Sequence, residues 1–119
     1  MDIEERKRYA MFNLFSKYKT IEDETIEKAI LEACFNMDIH SARYFIKENN
    51  LIVVFNTSKA LSGSLSSRKG FPIAMNSLIN NLPIEYKDNI DVWDSDKLYA
   101  ADIPERFLSK IKRVDAIAY

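Results

Sequence analysis

Apolar residues recur three and four positions apart through the first third of the chain and then gather into one unbroken run, so the pattern changes character near residue 50. Met11, Leu14, Phe15 and Tyr18 share a helical face. Asp2, Glu4 and Glu5 precede them, where carboxylates favour the positive end of a helix dipole, so a first helix is predicted from Ile3 to Tyr18. Thr20 can cap a second helix, with Asp23 three residues on and Ile26, Ile30, Ala33, Cys34 and Met37 forming its buried stripe. Asp38 is read as the cap of a third, with Ile39, Ala42, Phe45 and Ile46 inward and Asn49-Asn50 ending it.

Leu51-Ile-Val-Val-Phe55 is short, β-branched and flanked by asparagines, which predicts a central strand buried on both faces. Residues Ser58 to Gly70 then lose all periodicity, with five serines and both glycines of the chain. Pro72 suits the first turn of a helix presenting Met75, Leu78 and Ile79, and Pro83 closes it. Ile84–Tyr86 and Ile90–Trp93 read as short strands. The second is joined through Asp94-Ser-Asp-Lys97 to Leu98–Ala101 as a hairpin. Pro104 opens a last helix with Phe107, Leu108 and Ile111 inward and Lys110, Lys112 and Arg113 at its negative end, and Asp115–Tyr119 is left as an edge strand or tail. The expected architecture is α+β (or α/β): a helical N-terminal half packed on a small mixed β-sheet, with a C-terminal hairpin and a final helix.

With 119 residues and 47% hydrophobic content, the chain suits one globular domain, 1–119, that needs no disulfide or metal staple. Cys34 is the only cysteine and falls on a core stripe, which fits a reducing, cytoplasmic setting. Neither an export leader nor a membrane-spanning run is evident. Charge is balanced overall, at 17 basic and 18 acidic residues, so neither bulk nucleic-acid affinity nor polyacidic behaviour follows. It is segregated along the chain, however. From Asn49 to Ile84 there are three cations and no carboxylate.

That acid-free window directs attention to Lys59, Ser64, Ser66, Ser67, Arg68 and Lys69, whose hydroxyls and cations, flanked by Gly63 and Gly70, have the ingredients of a cradle for an anion or an acidic partner. The order is not that of a nucleotide P-loop, because Phe71 and Pro72 follow Gly70 where a lysine and a hydroxyl are needed. A second patch places Trp93 and Tyr99 among Asp91, Asp94 and Asp96, an aromatic anchor with acidic neighbours suited to a basic protein partner. Asp94, Asp96, Asp102 and Glu105 also match four positions of a calcium loop. Tyr99 stands where such a loop needs glycine, so turn and cap roles are preferred for them. Arg6, Lys7, Arg8, Lys17 and Lys19, with Tyr9 and Phe12, form a basic helix face that could meet nucleic acid.

Catalytic chemistry has little support. His40 has no second ligand at zinc spacing, and Cys34 lies away from any glycine-rich elbow. No cofactor or metal is expected. The favoured function is a small binding protein that occupies a protein partner stoichiometrically, as an immunity protein, an antitoxin or a phage inhibitor does. The alternative is a phosphate- or nucleic-acid-handling domain, enzymatic or not, built on loop 58–70.

Overall fold

Residues 4, 5 and 20–116 are described by the structure, a computed structural model, with the side chains of 61 and 62 excepted. The predicted first helix and its basic face lie outside the described residues, apart from Glu4 and Glu5, which are helical. Helix α1 spans Ile21–Met37. Thr20 caps it as predicted, its Oγ1 accepting from the Asp23 N–H at 3.0 Å, an arrangement that stabilises a helix by about 1 kcal/mol. Its stripe is the predicted one, and Ile26, Ile30, Ala33, Cys34 and Met37 are all buried. Asp38 ends this helix in the left-handed conformation (φ 54°) instead of starting another.

The third predicted helix is a strand. β1 runs Ser41–Lys47 and pairs antiparallel with β2, Asn50–Phe55. Its apolar spacing fits either period because both faces are covered: Ala42 and Tyr44 point one way and Phe45 the other. The tie is broken by Glu48 and Asn49, both at positive φ (51° and 66°), which form the two-residue turn that a tight hairpin requires. β2 is buried along Leu51–Phe55, as its composition predicts.

After β2 come α2 (Lys59–Ser62), a 3-10 turn (Leu65–Ser67) and α3 (Phe71–Asn81), with Pro72 in the first turn. Within α3, Ala74 and Leu78 are buried and Met75 packs against them, while Ile79 is exposed. Ile84–Tyr86 is a 3-10 turn and not a strand: Tyr86 is buried while Ile84 projects outward. β3, Ile90–Asp94, joins β2 in parallel. The predicted hairpin after it does not form. Asp94 caps a helix, α4 (Ser95–Ala100), through the Lys97 N–H at 2.8 Å, and the chain crosses the sheet face. The final helix, α5, is confined to Glu105–Leu108, with Phe107 half-buried and Leu108 exposed. Lys112 and Arg113, expected at that helix's end, instead belong to β4, Lys112–Asp115, which pairs antiparallel with β1.

The fold is α+β, with a mixed sheet in the order β3-β2-β1-β4. One face carries Ala42, Tyr44, Leu51, Val53, Phe55 and Val114 beneath α1 and α3. The opposite face carries Phe45, Ile52 and Val54, covered by Trp93, Leu98, Ile103 and Ile111. No described helix is long and apolar enough to cross a membrane.

Candidate functional site

The parallel pair β2–β3 ends its strands side by side, and the segments leaving them meet there. Such carboxyl ends are the usual location of ligand sites in α/β units. The Lys59 N–H donates to Asp96 Oδ2 at 2.9 Å, and the Ser95 N–H donates to the Thr57 carbonyl at 3.0 Å. These bonds draw the two patches singled out in the sequence, 58–70 and 91–99, into one place. Between them lies an open groove of about 600 Å³, with Lys59, Ser64 and Ser66 on one wall and Asp94, Asp96 and Lys97 on the other. Leu65, Phe71, Val92 and Trp93 supply its apolar surface. Its described lining includes two cations and two carboxylates, so the groove has no single sign of charge.

Ser67, Arg68 and Lys69 do not line this groove. Arg68 turns the other way and closes the carbonyl end of α1: Nε and Nη2 donate to the Met37 carbonyl at 3.3 and 3.0 Å, and Nη2 also reaches the Asp38 carbonyl at 3.2 Å. Its Nη1 is 3.4 Å from Thr57 Oγ1. A helix leaves its last carbonyls without intrahelical donors, and a guanidinium satisfies several at once. Gly70 makes the close approach possible. It sits at φ 85°, and a Cβ there would fall 2.0 Å from the Asn36 carbonyl oxygen. Ser67 is also engaged locally, its Oγ donating to the Ser64 carbonyl at 2.7 Å. Lys69 is exposed.

Trp93 borders a second concavity of about 320 Å³ at the other end of β3. Phe45, Ile52 and Trp93 form its apolar side, the two rings meeting edge to face at 6.0 Å and 77°. Around them stand Glu48, Asp91 and Asp102, with Lys47 the one cation among the described lining residues. Asn50 Nδ2 holds Asp91 Oδ2 at 2.8 Å. Lys97 Nζ lies 5.3 Å from the Trp93 ring centroid, within cation–π range. Trp93 Nε1 is buried and has no hydrogen-bond partner, the one such side-chain atom among the described residues. Leaving a donor in that state costs about 1–3 kcal/mol. Tyr99, on α4, is 95% exposed.

The sequence reading reached Trp93 and Asp91 but missed Phe45, Lys47 and Glu48 and weighed Asp102 only for a calcium loop. The missed three belong to β1 and its turn, which the helical spacing concealed; the alternation of Arg43, Phe45 and Lys47 is the signal that would have exposed them. Asp94 and Asp96, which also fitted a calcium count, serve as a helix cap and as an acceptor for the Lys59 amide. Among the described residues, no group of three or more His, Cys, Asp or Glu could hold a metal ion.

No family model, curated protein or solved structure matches the chain. What the site can do therefore rests on its own geometry. Cys34 is fully buried, and burial, with the charge of Asp115 adding to it, pushes its thiol up to about 12, which keeps it protonated and unreactive at neutral pH. His40 is exposed at the α1–β1 junction, and its carbonyl accepts the Ala116 N–H at 2.8 Å.

Proposed function

We propose that the protein is a binding module that acts stoichiometrically on a protein partner, seating a basic side chain of that partner in the acid-rimmed pocket beside Trp93. The observation that carries this reading is the composition of the pocket's described lining: three carboxylates against one ammonium around two aromatic rings. An arginine side chain matches both parts, its guanidinium meeting carboxylates through paired hydrogen bonds and aromatic faces through cation–π attraction. Tryptophan anchors dominate many interfaces, and acidic rims raise association rates toward basic partners. Inhibitors of the immunity-protein or antitoxin type work in this way, by occupying a partner. The reading of loop 58–70 as a phosphate cradle loses its central cation, because Arg68 is committed to the end of α1.

Trp93 is the only tryptophan in the chain, so its fluorescence reports on the pocket directly. Titration with an arginine-containing peptide is expected to shift the emission, more weakly as salt rises. The same peptide with citrulline in place of arginine should leave it unchanged. Asp91→Asn combined with Asp102→Asn should weaken the arginine peptide by roughly tenfold, or about 1.4 kcal/mol. Equal responses to arginine and citrulline, or affinity unchanged in the double variant, would discard the proposal.

A further inference from the structure

A third hollow, of about 350 Å³, lies at the opposite end of the same sheet face, and its polar side chains are Ser41, Arg43, Asn56 and Ser95. Leu98 and Tyr99 wall its apolar side, and none of the described lining residues is a carboxylate. Three observations point to an anion. The Arg43 side chain is exposed and makes no hydrogen bond or ion pair with any described residue. Directly opposite it on β4 stands Arg113, and like charges in register across strands destabilise a sheet unless something neutralises them. Arg113 has its own counter-ion, its Nε donating to Asp115 Oδ1 at 2.8 Å, but Arg43 has none among the described residues.

The third observation is the polar chain beside Arg43. Ser95 Oγ approaches Asn56 Oδ1 at 3.4 Å, and Asn56 Nδ2 donates to Ser41 Oγ at 3.1 Å. Since Ser41 Oγ already accepts from Asn56, its own hydrogen is left to donate. A guanidinium and a hydroxyl donor are thereby held at one end of a hollow whose other wall is apolar. The volume lies at the small end of the range for small-molecule pockets.

We infer that this hollow binds a small organic phosphate monoester, its phosphate on Arg43 and Ser41 and its apolar body against Leu98 and Tyr99. The phosphate oxygens accept the guanidinium fork and still leave an acceptor for the serine, and the bound charge cancels the repulsion between Arg43 and Arg113. The site uses none of the carboxylates of the Trp93 pocket and does not depend on the function proposed for it.

Phenyl phosphate is the probe, followed by amide chemical shifts and by melting temperature. At millimolar concentration it should perturb Ser41, Arg43, Asn56 and Ser95 and raise the melting temperature; inorganic phosphate should act more weakly and phenol not at all. Arg43→Gln should lose roughly tenfold or more in affinity. It should also melt no lower than the parent, because it removes a repulsive charge, and it should bind the arginine peptide unchanged. Absence of any perturbation by millimolar phenyl phosphate, or undiminished binding in Arg43→Gln, would overturn the inference. Equal effects of phenol and phenyl phosphate would do the same.

Discussion

The two faces of the sheet are built differently. One is roofed by helices of 17 and 11 residues, α1 and α3; the other is crossed by helices of six and four, α4 and α5. Beneath the long helices the core is extensive, reaching from Ile26 through Val53 to Val114. Beneath the short ones the buried apolar residues among those described are Phe45, Ile52 and Val54, and Trp93, Leu98, Ile103 and Ile111 pack against them while staying partly exposed. A short helix offers too few turns to seal a sheet, so concavities open on either side of α4. The acid-rimmed pocket and the Arg43 hollow both have this second face as their floor, and the groove at the strand ends shares Trp93 with it. Among the described residues the first face thus holds most of the buried apolar side chains, and the second carries both concavities.

The largest expected effect lies on the densely packed side. Gly70→Ala would push a methyl into the Asn36 carbonyl at a backbone angle that side chains disfavour, and should cost about 3 kcal/mol in urea unfolding. A loss below about 1 kcal/mol would show that segment 63–70 can move off α1 freely.

Adjacent valines on β2 provide a controlled version of the comparison, because Val53 faces the long helices and Val54 the short ones. Their burial is nearly equal, at 0% and 3% exposed, so the loss of transfer free energy on truncation is the same. The surroundings differ: Val54 borders the Arg43 hollow, where a void is already open and water can enter. Val53→Ala should therefore cost about 2.5–3 kcal/mol and Val54→Ala about 1.5 kcal/mol, the difference being the cavity contribution. Equal losses would mean that the two faces are packed alike.

The smallest effect concerns the strap that holds β4 against α1. Lys112 Nζ lies 2.7 Å from Asp23 Oδ1, and Tyr44 Oη, which donates to the buried Glu27 at 2.6 Å, is also 3.3 Å from Asp23. Burial raises the Asp23 pKa, but hydrogen bonds from Lys112, Thr20 and Tyr44 and the charge of Lys112 outweigh it, leaving the carboxyl below its ordinary value. A depressed carboxylate contributes stability above its unfolded pKa and loses it as pH falls through the folded one. Lys112→Gln should thus cost about 0.5–1 kcal/mol at neutral pH and progressively less in acid, measured as unfolding free energy against pH. A loss independent of pH would assign the role of Lys112 to packing alone.

How much of this was legible in the sequence follows from where each signal is stored. α1 and β2 were read correctly because a cap, a stripe and a β-branched run are local properties. β1 was not, since an apolar stretch covered on both faces satisfies helical and strand periods alike, and its pairing with β2 and β4 decides the matter. Asp94 reads equally as a turn residue or a cap, because the same short side chain that favours turns also caps helices. For the site, Trp93 with Asp91 announced itself as an aromatic among acids. Glu48 and Asp102 reach the same pocket from segments 54 residues apart, which no spacing rule connects. Arg43 lay in the misread helix, and only the strand register places Arg113 opposite it.

The contact between Arg68 and the end of α1 also bears on which substitutions this chain can accumulate. The carbonyl end of a helix carries partial negative charge, and the chain lays segment 63–70 against it from 30 residues downstream. A carboxylate at Arg68 would meet those carbonyls with repulsion and leave them without donors. At this position, then, the acid-free character of residues 49–84 has a cause independent of any ligand: the electrostatics of a helix that ended earlier in the chain. Mutational drift there would be tolerant toward lysine and closed to aspartate and glutamate, even if nothing ever bound to the loop.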